Sequence, residues 1–441
     1  MPHDKFSTRG LPVPSGRVSR LARFVSMASG VAGGMMLDGV RQFAEGKRPS
    51  LQDLLLTPAN AIKVTHQLAH LRGAAMKVGQ LLSMDAGEIM PRELADILAR
   101  LRADAHQMPQ GQLRATLDRQ WGRGWQQRFE SFSFRPIAAA SIGQVHRARA
   151  KDGRELAIKI QYPGVRQSID SDVDNVAALL RLSGLLPKTL DVAPMLAEAK
   201  RQLHEEADYE REGGHLQRFG ELLAGSPDYA LPELAPDFTG KSILAMSYLE
   251  GAALEQLVAT PQAERDRIVA LMIELLLREL FEFRLMQTDP NFANYRYNSR
   301  TRQIVLLDFG AVRAFSPALA GSYRALLKAA IDGDRAACRA IAIDLGLWAG
   351  HTPQRQQDAM MDVFEMAMQP LRQAGPFDFG ATDIVQRLRD RGMAIAGNRD
   401  NWHIPPMDTL FLQRKIGGIF LLASRLKARV HIRPLLEPHL G

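Results

Sequence analysis

The chain has 441 residues, which is more than one ordinary domain uses and enough for two to four units with cores of their own. Apolar residues make up 46% and charged residues 24%, so the composition excludes a disordered, collagen-like or low-complexity protein. The net charge of +8, from 56 basic and 48 acidic residues, is too small for a nucleic-acid signature but is compatible with an anionic ligand or membrane surface.

The single cysteine, Cys338, excludes an intramolecular disulfide and a cysteine-based zinc site, and it fits a reducing compartment. No uncharged run reaches the roughly 20 residues that span a bilayer. We therefore expect a cytoplasmic protein without a transmembrane span. The apolar stretch 24–37 follows three arginines, and its small residues suit either packing within the molecule or contact with a membrane.

The patterning of the first half changes twice. Residues 1–20 are rich in proline and glycine and predict a flexible arm, and residues 21–128 predict a helical N-terminal extension because apolar residues recur at helical spacing. From residue 129 the alternation has period two, and Asp152-Gly153 between two alternating runs predicts a hairpin. Residues 129–250 are therefore predicted to form a small β-rich lobe that carries a long helix pair.

Residues 251–441 are predicted to form a second, mainly helical lobe. A strongly apolar helix at 268–283 precedes a short loop and a hairpin with strands at 295–297 and 304–307. Everything after Pro317 has helical periodicity. The sequence thus predicts an α+β fold with two lobes, and a ligand of such a fold is expected in the cleft between them.

Three short segments point to nucleotide chemistry by their order and spacing. Lys159 lies in the middle of a predicted strand, Asp289 and Asn294 lie five residues apart in a loop, and Asp308-Phe309-Gly310 begins fourteen residues after Asn294. Each segment alone is weak, because a strand lysine is most often structural and an Asp-Phe-Gly is most often a turn. Their joint order matches the signature set of protein kinases.

The chemistry of a magnesium-bound nucleoside triphosphate explains these residue types. Lys159 would hold the α and β phosphates, while Asp308 and Asn294 would supply oxygen ligands to Mg²⁺. Asp289 would orient or deprotonate an attacking hydroxyl group or water. The sequence therefore predicts a site for ATP or ADP together with magnesium.

The loop that would cover the phosphates departs from protein kinases. Where a glycine-rich loop is expected, the chain has Ala138, Ala139, Ala140 and Ser141. Alanine restricts the positive φ angles that glycine allows, so this loop is expected to be stiffer. An alanine run is more often the start of a helix, but its position between two predicted strands favours a phosphate-binding role.

These segments resemble the UbiB-like atypical kinases, also called the aarF-domain-containing kinase (ADCK) family, which is linked to coenzyme Q biosynthesis. The motifs that carry the resemblance are Lys77-Val78-Gly79-Gln80 (the family's KxGQ), the alanine-rich loop, Ala157-Ile158-Lys159, Glu206-Ala207-Asp208 (its ExD), the loop from Asp289 to Asn294, and Asp308-Phe309-Gly310. The segment 414–418 is similar to the branch that includes the mitochondrial members. The resemblance covers about residues 17–433 and implies a bilobal protein-kinase-like fold.

The resemblance also implies further contacts around the nucleotide. Lys159 is expected to pair with Glu212, and Lys77 is expected to reach towards Glu206 and to place its helix over the cleft; Gln80 and Asp208 belong to the same motifs. We expect these three acidic residues on one long helix, where their spacing turns them to different sides, so that two lysines could be bound from two directions. Without the resemblance, a solvated acidic helix is the simpler interpretation.

For function, the resemblance implies an atypical kinase or ATPase that supports ubiquinone biosynthesis, with quinone-precursor lipids and enzymes of that pathway as partners. No Ala-Pro-Glu follows Gly310, and protein kinases need that segment to hold a peptide, so phosphorylation of other proteins is not expected. The alternative is a non-catalytic scaffold gated by nucleotide. The intact Lys159, Asp289, Asn294 and Asp308 argue against that alternative.

Residues 410–429 combine apolar residues with basic ones. The basic residues are Arg414, Lys415, Arg425, Lys427 and Arg429. Such a helix can lie on an anionic membrane, but it is more often a core helix with a basic exposed end. We expect peripheral association with a membrane surface, at the inner membrane if the protein is bacterial, and no binding of nucleic acid.

Overall fold

In a computed structural model of the chain, the described residues are 73–75, 77–78, 107–182, 193–289, 291–350, 352–396 and 405–440. The predicted arm, the apolar stretch 24–37, most of the N-terminal extension and Gln80 lie outside them. The described residues form two compact units, one that ends at Gly214 and also includes 233–248, and one that includes 215–232 and the described residues from 249 onwards. The domain boundaries after residues 128 and 250 stay predictions.

The strands of the described residues are short. They are β1 (Phe129–Phe132), β2 (Ala138–Ala139), β3 (Gly143–Ala150), β4 (Glu155–Gln161), β5 (Tyr229–Ala230), β6 (Ile243–Ser247), β7 (Ala252–Ala253), β8 (Leu285–Gln287), β9 (Tyr295–Asn298), β10 (Gln303–Leu306), β11 (Val312–Ala314), β12 (Phe377–Asp378) and β13 (Arg429–Val430). Among these strands β5 and β10 pair in parallel, and the other pairings are antiparallel.

Helices dominate the second half of the chain. The α-helices from residue 110 onwards are α1 (Gln110–Trp121), α2 (Val165–Leu182), α3 (Ala193–Glu206), α4 (Tyr209–Leu222), α5 (Gln262–Arg278), α6 (Pro317–Asp332), α7 (Arg335–Asp344), α8 (Gln354–Ala367), α9 (Gln369–Arg372), α10 (Ile384–Ala396), α11 (Met407–Leu426) and α12 (Arg433–Leu440). Short 3₁₀ turns lie at Trp125–Arg128, Leu254–Ala259 and Phe292–Asn294, and a π-helical turn lies at Glu279–Phe283. Among the described residues, no helix has both the length and the apolar character needed to cross a bilayer.

The first unit is built on one sheet. Its strands run in the order β1-β3-β4-β6, with β2 added along β3. The hairpin predicted at Asp152-Gly153 is confirmed, since it joins β3 to β4 and Gly153 takes a φ of +89°, which glycine adopts without strain. Aromatic rings pack on this sheet, with ring centres 5.1 Å apart for Trp125 and Phe132 and 4.8 Å apart for Phe129 and Phe238.

The second unit carries a sheet of strands in the order β5-β10-β9-β7 and the separate ladders β8–β11 and β12–β13. The predicted hairpin of strands 295–297 and 304–307 is confirmed as β9 and β10. The predicted apolar helix is α5, which buries residues such as Ile268, Leu271 and Leu275 and continues into the π-helical turn. The uniformly helical end predicted after Pro317 is wrong in detail, because the two-residue strands β12 and β13 interrupt the helices.

Candidate functional site

Lys159 lies at the centre of the first unit's sheet. It stands in β4 opposite Val145 of β3 and Leu244 of β6. Its ammonium donates to both carboxylate oxygens of Glu212, at 2.8 and 2.9 Å, and both side chains are buried. The ammonium also lies 5.2 Å from the centre of the Tyr209 ring. The two residues that the resemblance pairs are thus in contact, and this bidentate contact fixes the position of the lysine.

The predicted alanine-rich loop is the tip of a hairpin. Ala138 and Ala139 form β2 against β3, and the N–H of Ala140 donates to the carbonyl of Gly143 at 2.9 Å. A Cβ atom on Gly143 would lie 2.3 Å from the carbonyl oxygen of Ile160, so the close approach of β3 and β4 requires glycine there. The segment is extended and turned, which excludes the start of a helix.

Glu206 links this hairpin to the helical residues 73–75 and 77–78. Lys77 donates to Oε1 of Glu206, and the hydroxyl of Ser141 donates to Oε2 at 2.7 Å. A Cβ atom on Gly73 would lie 3.0 Å from Cγ2 of Ile142 and 3.3 Å from the carbonyl oxygen of Ser141. The missing side chain of Gly73 therefore allows the helical segment to lie directly on the hairpin tip.

The single long helix predicted to carry Glu206, Asp208 and Glu212 is wrong. Helix α3 ends at Glu206 and α4 begins at Tyr209. The carboxylate of Asp208 accepts from the N–H of Arg211 at 3.1 Å, and Gln161 donates to the carbonyl of Ala207 at 2.7 Å. These two bonds satisfy main-chain groups that a break leaves without helical partners. Glu206 and Glu212 consequently approach their lysines from different helices.

In the second unit, the loop after β8 brings Asp289 and Asn294 together. The amide nitrogen of Asn294 donates to Oδ2 of Asp289 at 3.2 Å, and Oδ1 of Asp289 accepts from the N–H of Asn291 at 3.2 Å. The carbonyl of Asn294 accepts from the N–H of Leu307 at 3.0 Å, which ties the loop to the end of β10. Five residues of sequence separation thus become a direct side-chain contact.

Asp308 follows on the next loop of the same unit. Its Oδ1 accepts from the N–H of Gly310 at 2.9 Å, and the buried ring of Phe309 lies 5.0 Å from that of Phe219. Burial raises the pKa of Tyr295 well above its ordinary value, and the charges of Glu279, Asp289 and Asp308 add to this rise. Asp289 and Asp308 therefore act on the same buried phenol.

The match to known proteins covers almost the whole chain. Residues 100–342 match the ABC1 atypical kinase-like domain. The chain is 37% identical over 436 residues to the mitochondrial atypical kinase COQ8 of Saccharomyces cerevisiae, which covers 98% of this chain and 86% of the yeast protein. It is 38% identical over 434 residues to the mitochondrial atypical kinase COQ8B of Rattus norvegicus, with 98% and 81% covered.

The chain belongs to the UbiB-like (ABC1) atypical kinase family. The fold is similar to that of Rv3197 in the Rv3197–erythromycin complex from Mycobacterium tuberculosis, with a TM-score of 0.60 and 24% identity over 87% of this chain and 96% of that one. At this level of identity the likeness concerns the fold alone. The predicted α+β, protein-kinase-like fold is confirmed.

The oxygen donors of the second unit fit a magnesium ion that is coordinated partly by the protein and partly by a nucleotide. Within the described residues there is no group of three or more His, Cys, Asp or Glu side chains that could hold a metal ion by themselves. Magnesium in phosphoryl-transfer sites typically takes one or two protein oxygens and completes its octahedron with phosphates and water. The carboxylate of Asp308 and the amide oxygen of Asn294 are donors of that kind.

Sequence reasoning missed the contact of Tyr209 with Lys159 and assigned Lys415 to the wrong environment. Lys415 was expected among the basic residues that face a membrane, but it is buried and forms an ion pair with Glu279. An ammonium held in this way does not reach a lipid surface. Arg425 and Arg429 have exposed side chains, and peripheral membrane association through the rest of the segment stays a prediction.

Proposed function

We propose that this chain binds a magnesium-bound adenine nucleotide and acts as an atypical kinase or ATPase that supports ubiquinone biosynthesis. The observation that carries the proposal is the grouping of Asp289 with Asn294 on one loop and Asp308 on the next. A proton acceptor and oxygen ligands for magnesium are recurring parts of phosphoryl-transfer sites. The family and the names of its mitochondrial relatives support the pathway.

In this proposal the first unit holds the phosphates. Lys159 binds the α and β phosphates, and Glu212 keeps its ammonium in place. Ala138, Ala139, Ala140 and Ser141 cover the phosphates with a hairpin that is stiffer than a glycine-rich loop. Glu206 ties this hairpin to Lys77, and Asp208 caps the helix that carries Glu212. Gln80, three residues after Lys77, is assigned to the same cover.

The transfer of the phosphoryl group is assigned to Asp289, Asn294 and Asp308. The carboxylate of Asp289 accepts the proton of an attacking hydroxyl group or water. The attacking oxygen forms a bond to the γ phosphorus while the bond from that phosphorus to the β–γ bridging oxygen breaks, and ADP leaves with the bonding electrons. Asp308 and Asn294 would hold a magnesium ion, which would neutralise part of the phosphate charge. The acceptor is water or a small molecule, with quinone-precursor lipids as the candidate class.

A second candidate is a non-catalytic scaffold for enzymes that make lipid quinones, gated by nucleotide. The observation that favours it is that Glu206 accepts hydrogen bonds from both Lys77 and Ser141. A nucleotide that moved the hairpin would therefore also move the Lys77 helix. In that case binding of ATP or ADP would change which pathway proteins are captured, and no phosphate would be released.

Thermal unfolding with and without magnesium and ATP or ADP tests nucleotide binding. At about one hundred times its dissociation constant, a ligand stabilises the folded state by about 2.7 kcal/mol. We expect this shift in the wild type and its loss in Asp308→Asn, while Asp332→Asn, which changes an exposed aspartate at the end of α6, keeps it. No shift in the wild type would overturn the proposal.

Release of phosphate from ATP separates the two candidates. We expect turnover in the wild type that falls by at least about 100-fold in Asp289→Asn, since removal of a proton acceptor or of a transition-state contact costs about that much. Nucleotide binding without any phosphate release, with or without quinone-precursor lipid, would leave the scaffold as the supported function.

A further inference from the structure

Three buried polar groups converge on one residue just before the predicted catalytic loop. Lys415 of α11 donates to Oε2 of Glu279 and to the main-chain carbonyl of Gln287, the latter at 2.8 Å. Oε1 of Glu279 accepts from the main-chain N–H of Gln287 at 3.2 Å. The hydroxyl of Tyr295 donates to the side-chain oxygen of Gln287. The N–H, the carbonyl and the side-chain oxygen of Gln287 are therefore each bound by a side chain from another element.

The ladder between β8 and β11 explains why these main-chain groups need such partners. Gln287 lies opposite Val312, and the next N–H, that of Thr288, donates to the carbonyl of Ala311 at 2.8 Å. In an antiparallel ladder, neighbouring residues direct their main-chain groups alternately towards the partner strand and away from it. The N–H and C=O of Gln287 therefore point away from β11, and Glu279 and Lys415 take the place of a strand on that side.

Stability alone does not explain a buried ion pair at this position. Glu279 and Lys415 are almost completely buried, and burial raises the pKa of Glu279 and lowers that of Lys415, while their mutual attraction opposes both shifts. Apolar side chains of similar volume are often as stabilising as a buried ion pair. What the pair adds is a donor and an acceptor at fixed positions for the main chain of Gln287.

We propose that Lys415, together with Glu279, is a positioning residue for Asp289, which lies two residues after Gln287. The chain from Gln287 to Asp289 has one anchor at Gln287 and one at Thr288, so the position of the Asp289 carboxylate depends on both. This inference rests on the proposed function, because it assigns Asp289 the role of proton acceptor. Lys159 and Asp308, which are proposed to bind the nucleotide and its magnesium ion, are not among the groups bonded to Gln287. Loss of the anchor is therefore expected to slow turnover without weakening nucleotide binding.

The first experiment compares the full chain with Lys415→Met, each at a temperature where it is fully folded. We expect kcat for ATP turnover to fall about 10- to 100-fold, the effect of a small misplacement of a reacting group. The concentration of magnesium-ATP that gives half of the thermal shift is expected to change less than about twofold. Leu422→Ala is the matched control, since it removes a buried side chain from the same helix without touching the bonds to Gln287.

A double variant distinguishes positioning from simple stability. Lys415→Met leaves Glu279 with a buried unpaired charge, and Glu279→Gln in the same chain removes that charge while keeping an oxygen that can accept from Gln287. We expect the double variant to recover resistance to urea but not kcat, because the carbonyl of Gln287 still lacks its donor. Recovery of kcat together with stability, or an equal loss of kcat in Leu422→Ala, would overturn the inference.

Hydrogen–deuterium exchange gives a readout that does not depend on turnover. We expect peptides that contain the amides of residues 287–288 to exchange at least about tenfold faster in Lys415→Met than in the wild type, and unchanged in Leu422→Ala. Equal exchange in all three proteins would refute the anchoring itself. A wild type that releases no phosphate would refute the proposed function instead, and the exchange rates would then decide whether Lys415 anchors this segment.

Discussion

Each unit of the molecule contains a buried lysine–glutamate pair, and the two pairs are built differently. In the first unit Lys159 is 8% and Glu212 3% exposed, and both carboxylate oxygens receive the ammonium. In the second unit Lys415 is 2% and Glu279 1% exposed, and each partner divides its bonds between the other and the main chain of Gln287. The first pair joins two side chains through both carboxylate oxygens, whereas the second also binds a segment of backbone.

The difference indicates two uses of the same chemistry. A bidentate pair on a central strand keeps one ammonium in place, with 8% of Lys159 exposed. The pair that also binds the backbone is almost completely buried, so a ligand cannot reach it. We infer that it fixes the position of a loop. Burial and bonding pattern thus separate a lysine proposed to contact phosphate from a lysine proposed to support the residue that does the chemistry.

The largest expected effect comes from breaking each pair. Removing one partner of a fully buried pair costs about 3–5 kcal/mol, so Lys415→Met is expected to lose that much free energy of unfolding. Lys159→Met is expected to lose less, about 1–3 kcal/mol, because its pair is slightly more exposed than that of Lys415, but it should abolish the magnesium-ATP shift. Urea unfolding of both variants measures the difference. A larger loss of stability in Lys159→Met would contradict the distinction.

The core of the first unit also predicts a response to acid. His146 in the first unit is fully buried, with Nδ1 2.8 Å from the carbonyl of Ser133 and Nε2 2.8 Å from the amide nitrogen of Gln144, contacts that one neutral tautomer satisfies. Burial lowers its pKa from 6.5 to about 4. The unfolded chain therefore takes up this proton first as the pH falls, and the stability that the neutral ring contributes is lost between pH 6.5 and 4.

From pH 7.5 to pH 5 this histidine should cost about 2 kcal/mol of the free energy of unfolding. The measurement is urea unfolding of the wild type and of His146→Gln at both pH values. We expect the variant to be less stable at pH 7.5 but to lose about 2 kcal/mol less than the wild type on acidification. Parallel pH curves for the two proteins would show that the pKa of His146 is the same in the folded and the unfolded state.

The smallest effect concerns the start of the helix that carries Glu212. Asp208 accepts from the N–H of Arg211, and replacing an N-cap aspartate by alanine costs about 1 kcal/mol. Asp208→Asn keeps an accepting oxygen and is the matched variant. We expect Asp208→Ala to lower the urea midpoint and to weaken the Lys159–Glu212 pair slightly, whereas Asp208→Asn stays within about 0.5 kcal/mol of the wild type. Equal losses in both would assign another role to the carboxylate.

The sequence contained enough information for the fold class and for the grouping of Asp289 with Asn294, because these depend on periodicity and on short spacings. The break at Ala207 and Asp208 could have been suspected, since aspartate is a preferred N-cap residue, but it lies inside a run with continuous helical character. Strands β12 and β13 have two residues each, too few for any period. Such short elements exist only because the surrounding helices bring them together.

The partner of Lys415 was beyond the reach of any local pattern. Glu279 lies 136 residues away in sequence, and a lysine in an apolar helix reads as a cation near a lipid or solvent boundary. Only tertiary packing brings the two charges together. The same holds for Tyr209, whose ring contacts Lys159 from another element.

The π-helical turn at Glu279–Phe283 makes this part of the chain sensitive to length rather than to composition. A π turn contains one residue more than an α-helical turn, and each residue advances a helix by 100°. Deleting one residue between 280 and 283 would restore an α-helical turn and rotate Glu279 relative to β8, away from Gln287. We expect that substitutions at the partly or fully exposed positions 281–283 are tolerated, whereas single insertions or deletions in this turn are not.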